Sequence, residues 1–278
     1  MDGLLTQAFL TSLVLGAITA GVPLLLAGLG EQISEKAGVL NVGIEGMMLA
    51  GAYLGFLTAF SSGSIWLGFL GGAGGGLVVA LLMALLCVRL GLNQIVIGIA
   101  LTLGAEGLTA LLHFFQFAQS YPRLDGAATL PIPGLAAIPV IGPALFDRHP
   151  VVYLVVALTF ALAWMYRRTA LGLDLQAAGD KPAALDAAGV GVIGIRSAAV
   201  LATGALAGIG GAFLANIGAG LFIPFMTNGC PGAGGEPGCT RPYGSYRPSE
   251  PFRDFPFLPD KTDLADIRSD LAIEELTS

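Results

Sequence analysis

Charge is scarce in this chain. Only 12% of its 278 residues are Asp, Glu, Lys or Arg, where a soluble globular domain carries about a quarter. Histidine occurs twice, as His113 and His149, far apart in sequence. No HExxH and no GxSxG is present, so the common zinc-protease and serine-hydrolase sites are excluded. A Walker A loop is also missing: Lys261 is the one lysine followed by Ser or Thr, and Asp260 precedes it where that loop needs glycine. Any ATP that drives this protein is therefore bound and hydrolysed by another subunit, and no cofactor is expected in the chain itself. Cys230 and Cys239 lie among glycines and prolines without the paired spacing of a zinc site. Cys87 sits in an apolar run and reads as a small buried hydrophobe. No basic patch suggests nucleic acid.

Apolar sequence fills the space that charge leaves. Hydrophobic residues make up 55% of the chain and the mean hydropathy is +0.79. The distribution is uneven. Residues 1–229 hold 8 Lys/Arg and 10 Asp/Glu, whereas residues 230–278 hold 5 and 9, together with 7 of the 16 prolines. Two kinds of polymer are joined near Gly229. The expected organisation is a membrane domain over 1–229 and an atypical, disordered Pro/Gly-rich tail over 230–278, in which 261–276 could form one short amphipathic helix. The N-terminus carries an acid and no Lys or Arg before the first apolar run, the wrong flank for a cleaved signal. That run is expected to stay as a span.

A spanning helix needs about 20 mostly apolar residues. Six segments qualify: 7–29, 42–60, 65–88, 94–117, 151–166 and 197–217. The fold class expected is all-α, a polytopic transmembrane helix bundle of about six spans. Glycine is dense inside the spans, notably at 71–76 and 204–211. In a bilayer small residues let helix backbones pack closely, so this favours a tight bundle. Connections after the first, third and fifth spans hold Lys36, Arg89, Arg167, Arg168, Lys181 and Arg196, against Arg123 and Arg148 in the others. By the positive-inside rule the first set is cytoplasmic and the N-terminus outside. Residues 118–150 read as an extracytoplasmic loop, with Phe114, Phe115, Phe117 and Tyr121 as an interfacial aromatic belt at its start.

Polar groups within spans are costly unless they meet a partner or a cavity. Asn41, Glu45, Asn93 and Glu106 are the candidates for a polar translocation path. The competing reading makes Asn41 and Asn93 helix caps and Glu45 interfacial. His113, near the end of the fourth span, reads as a packing residue. Residues 167–196 are too polar to span and longer than two adjacent helices need. Lys181-Pro182 breaks a helical pattern, and a second short helix starts at Pro182 and ends on Gly189. A helix pair of that shape beneath the bundle can dock on a soluble partner.

Residues 30–49, GEQISEKAGVLNVGIEGMML, resemble the opening signature of permease subunits of ABC importers in the branched-chain amino acid and simple-sugar group, most nearly its nucleoside-type members. Residues 91–103, GLNQIVIGIALTL, resemble a second family stretch. Residues 177–189 are similar to the family's cytoplasmic coupling pattern A-x-G-x-N-P-x-A-A, with Lys181 where the family has Asn. The resemblance implies ATPase coupling through Ala177, Gly179, Asp180, Pro182, Ala184 and Gly189. It also implies an ABC ATPase inside, a second permease subunit, an extracytoplasmic substrate-binding lipoprotein, and a small polar solute of the nucleoside type. The setting implied is the lipid of a prokaryotic plasma membrane. Residues 222–229, FIPFMTNG, still resemble the family, and the likeness then stops, which is the pattern expected of a frameshift or truncation, with a natural lineage-specific tail as the alternative. Two other readings stay open: a non-transporting remnant, and a secondary transporter acting alone. The second would need an internal inverted repeat, of which Leu40-Asn41 and Leu92-Asn93 are faint echoes.

Overall fold

A computed structural model describes residues 7–117, 122–124, 130–131, 147–224 and 226–227. The chain divides into two compact units, Met1–Cys239 and Thr240–Ser278, and every described residue belongs to the first. The expected tail, its short helix, and most of the 118–150 loop lie outside the described residues.

The helices follow the apolar runs. They are α1 (Gln7–Lys36), α2 (Ile44–Ser62), α3 (Ile65–Met83), α4 (Gln94–Phe117), α5 (Pro150–Arg168), α6 (Ala170–Asp180), α7 (Pro182–Ala187) and α8 (Val192–Phe213). Helix α3 runs on into a π-helical turn, Ala84–Arg89, and α8 into another, Leu214–Ala219. Two two-residue strands, β1 (Leu130–Pro131) and β2 (Asp147–Arg148), pair antiparallel between α4 and α5. Otherwise the described architecture is helical, as expected. Among the described residues, six helical segments are long and apolar enough to cross a membrane: Ser12–Lys36, Ile44–Ser62, Ile65–Arg89, Gln94–Phe117, Pro150–Arg168 and Val192–Ala219. Their number agrees with the sequence reading, but two ends move. The first span continues past residue 29 to Lys36, and the sixth begins at Val192 rather than 197. Backbone hydrogen bonding carries a helix beyond its apolar stretch, so polar residues such as Glu31 and Arg196 fall inside it.

The centre of the bundle is a meeting of α2, α3 and α8 through glycine. A Cβ on Gly76 would overlap the Gly204 carbonyl oxygen, one on Gly208 the Gly72 carbonyl oxygen, and one on Gly51 the Cα of Gly208. Only backbones without side chains can approach so closely, and in lipid such contact replaces the hydrophobic drive that water supplies elsewhere. Around this node Val39, Met47, Ala80, Met83, Val200 and Ala207 form one buried cluster, with Val22, Leu26, Val155, Ala212 and Phe213 in another. Helix α4 joins from the side, its Gly98 against Val42 and Gly43 and its Thr102 against Gly46.

The connections sort onto two faces. Leu40 N–H donates to Gln94 Oε1 (2.8 Å), which sets the α1–α2 corner beside the start of α4. Arg196 donates to the Ala37 carbonyl, which sets the base of α8 on that same face. At the other end His149 lies against the rings of Trp66 and Phe69. The six spans therefore alternate in direction. The Lys- and Arg-rich connections share one face, the one assigned to the cytoplasm on charge.

Candidate functional site

The short helices α6 and α7 project where the sequence breaks a helix. Thr169 caps α6, its Oγ1 accepting from Gly172 N–H (3.2 Å). Pro182 has no N–H, so α6 stops at Asp180 and α7 starts with proline in its first turn, where the missing donor costs nothing. Past α7 the chain turns at Gly189 (φ +84), with Gly189 N–H on the Asp186 carbonyl (2.9 Å) and Val190 N–H on the Leu185 carbonyl (3.2 Å). These are the paired bonds of a glycine-terminated helix. One buried side chain anchors α7: Leu185, 5% exposed, packs with Ala178 and Val192. Pro182, Ala184, Asp186 and Gly189 are exposed around it, as is Asp180 on α6, while Ala177 and Gly179 are half-buried. The result is a surface of small residues with two exposed carboxylates, Asp180 and Asp186, on it.

The α1–α2 corner supports this surface. Ser34 Oγ donates to the Val39 carbonyl (2.9 Å), and Val39 N–H returns to the Ser34 carbonyl (3.0 Å). Asn41 N–H donates to Glu31 Oε1 (3.1 Å). Gly38, at φ +81, lies against Gly179: a Cβ on it would be 3.0 Å from the Gly179 Cα, and a Cβ on Gly179 would be 2.5 Å from the Lys36 carbonyl oxygen. Arg196 Nε donates to the Ala37 carbonyl (3.1 Å) and Nη2 to the Ala178 carbonyl (2.9 Å). Between corner and helix lies an open cavity of about 380 Å³ lined by Gln32, Glu35, Lys36, Gln176, Gly179 and Asp180, among others.

The four residues singled out for a translocation path do not form one cluster. Asn41 is buried, 2% exposed, with Nδ2 toward Met47 Sδ (3.4 Å) and Oδ1 buried without a hydrogen-bond donor. Asn93 is exposed and caps α4, its Oδ1 accepting from Ile95 N–H (3.0 Å) and Val96 N–H (3.3 Å). Glu45 is exposed in the first turn of α2. Glu106 is half-buried, and lies about 20 Å along α4 from Asn93 at the helical rise of about 1.5 Å per residue. Three of the four thus sit near the α6–α7 face and one deep in the span. His113 is buried among Phe117 and Phe222, as a packing residue would be.

In the sequence Arg196 reads only as a topology marker and Gln94 only as a polar residue at a helix start, while Glu31 and Gly38 carry no assigned role. The signals were present but local: glycine just beyond a helix end, and a proline four residues after Ala178.

No solved structure matches the chain. The family described as branched-chain amino acid transport system / permease component matches residues 13–227. A putative glucose ABC transporter permease protein of Haloferax volcanii is 40% identical over 228 residues, covering 80% of this chain and 68% of the relative. A guanosine ABC transporter permease protein of Bacillus subtilis is 30% identical over 216 residues, 74% of this chain and 68% of its own length. A nucleoside ABC transporter permease protein of Lactococcus lactis is 33% identical over 218 residues, 76% and 69% respectively. With a match that takes in all six spans, this multi-pass membrane chain belongs to the ABC-transporter permeases of that family.

Proposed function

We propose that the chain forms one half of the translocation path of an ABC importer in a prokaryotic plasma membrane, carrying a small polar solute of the nucleoside type. Nucleosides are preferred to sugars on the likeness of the 30–49 signature; the relatives' names include guanosine, nucleoside and glucose permeases. Residues 1–229 act as the permease domain, with 230–278 as a separate segment. A second permease subunit completes the path. An ABC ATPase docks on the face carrying α6 and α7, and a substrate-binding lipoprotein delivers solute to the face carrying Trp66 and His149.

The observation that carries this reading is the α6–α7 pair, held by Leu185 with Asp180, Pro182, Ala184 and Gly189 turned outward on the basic face. An ATPase that closes on ATP needs a firm projection to push, and this is the one polar projection among the described connections long enough to serve. Glu45 and Asn93 would line the inner mouth of the path, with Asn41 buried behind them, and Glu106 its midsection. The test is uptake into proteoliposomes holding the full chain, its partner permease, the ATPase and the binding protein. ATP-dependent accumulation of labelled guanosine, with glucose left outside, is the expected result. Uptake of glucose alone would move the substrate class to sugars. Uptake driven by an ion gradient without ATPase would reject the importer reading.

A further inference from the structure

We propose that Arg196 is the residue that makes the α6–α7 projection and the α1–α2 corner move as one body, so that force applied to α6 reaches the spans. The proposal rests on the coupling role given above to that projection. In a helix the carbonyl of residue i is answered by the N–H of residue i+4. For Ala178 that residue is Pro182, which has no N–H. For Ala37 it is Asn41, whose N–H is taken by Glu31 Oε1. Two carbonyls at the C-terminal ends of two helices are thus left without their own donors, where the helix dipole is negative.

A single guanidinium from the base of α8 takes both, at 3.1 and 2.9 Å. The two acceptors are 159 and 18 residues away in sequence, so the contact joins α1, remote in sequence, to α6 and α8, which the chain links only through α7. Gly38 and Gly179 let the backbones close until the fork can span them. The corner is tied in turn to α4 through Gln94 and Leu40. A displacement of α6 therefore has no slack to absorb it before α1, α2 and α8 must follow. Lysine replaces this only in part: its ammonium donates from a single point, without the planar fork that reaches the two acceptors from separate nitrogens. Arg196 touches neither solute nor nucleotide in this account, and is a positioning residue.

The test uses the full chain in two settings. In detergent, amide hydrogen exchange is followed over residues 176–190 in wild type, Arg196→Ala and Arg196→Lys, with the glycine node of α2, α3 and α8 as internal reference. Exchange at 176–190 is expected to rise at least tenfold in Arg196→Ala, less in Arg196→Lys, with the node unchanged. In proteoliposomes with the cognate ATPase and partners, solute taken up per ATP hydrolysed is expected to fall at least tenfold in Arg196→Ala. Should that variant not fold, Gly179→Ala keeps the guanidinium but pushes α6 off the Lys36 carbonyl, and the same loss of coupling is expected. Unchanged exchange at 176–190 would overturn the tie. Faster exchange with unchanged uptake per ATP would overturn its role in transmission. A wild-type chain that takes up no solute with its ATPase would count against the proposed function and the transmission role built on it, while the exchange comparison still decides whether Arg196 holds the segment.

Discussion

Helices α4 and α8 are nearly indistinguishable by hydropathy, and the fold uses them in opposite ways. Both are apolar enough to cross a membrane, yet 17% of the apolar stretch of α4 is buried within the chain against 61% of that of α8. What separates them is where the small residues point. In α8, Gly204, Gly208 and Gly211 face the backbones of α2 and α3, with Ala207 and Ala212 fully buried beside them. In α4, Gly98 packs on α2, but Gly104 and Gly107 face open space, and Leu103, Leu108, Leu111 and Phe115 are exposed. In a bilayer an apolar side chain gains little by leaving lipid for protein, so hydropathy marks which segments span. Close backbone approach decides which spans become the core.

The strongest way to break this contrast is to make the same substitution in both helices. Gly208→Ala should destabilise by on the order of 3 kcal/mol, the upper range for overpacking, because its Cβ meets backbone of α3 that cannot rotate away. Gly104→Ala should instead stabilise by roughly 0.5–1 kcal/mol, since the space is open and alanine loses less backbone entropy. Denaturation in mixed detergent micelles measures both, and equal effects would refute the core–rim distinction. Next in size, Asn93→Ala removes the cap of α4 and should cost about 1 kcal/mol. Asn41→Ala removes no cap, so it should leave the fraying of α2 unchanged by amide exchange.

Pro182→Ala sharpens the account of the cytoplasmic face. It gives the Ala178 carbonyl a donor of its own, so a subsequent Arg196→Ala should cost less in that background by about 1 kcal/mol, one ordinary hydrogen bond. A double-mutant cycle on thermal unfolding reads the difference. The smallest effect is at the opposite face. His149 is buried, its Nδ1 accepts from Val151 N–H (3.4 Å), and burial holds its pKa below the ordinary histidine value. The unfolded chain then binds the proton more readily, so stability is full above the ordinary value and declines as pH falls through it toward the depressed one. The thermal midpoint should drop between pH 7.5 and 5, and His149→Asn, which can still accept at the cap, should flatten that slope.

Much of this was legible in the sequence because single features carried it. Runs of about 20 apolar residues mark the spans, and Lys181-Pro182 with Gly189 marks the two short helices. Asn93 stands immediately before α4 and caps it. Asn41 stands three residues before Ile44 and does not, a difference that residue type alone conceals. The Arg196 contacts were legible only in part: Pro182 marks the Ala178 carbonyl as lacking a helical donor, but nothing in the sequence says which side chain takes it. The ranking of core and rim was not legible, since glycine is dense in helices of both kinds and only the partner backbone shows which glycines are in use.

The central claim is that the face bearing α6 and α7 receives the ATPase. Photo-crosslinking answers it directly, with a reactive side chain placed at exposed Asp186 on α7 or at Trp66 on the opposite face, in membranes containing the cognate ATPase. Adducts with the ATPase are expected from position 186 and none from position 66. Adducts from position 66, or none from 186 in an assembled complex, would contradict the claim.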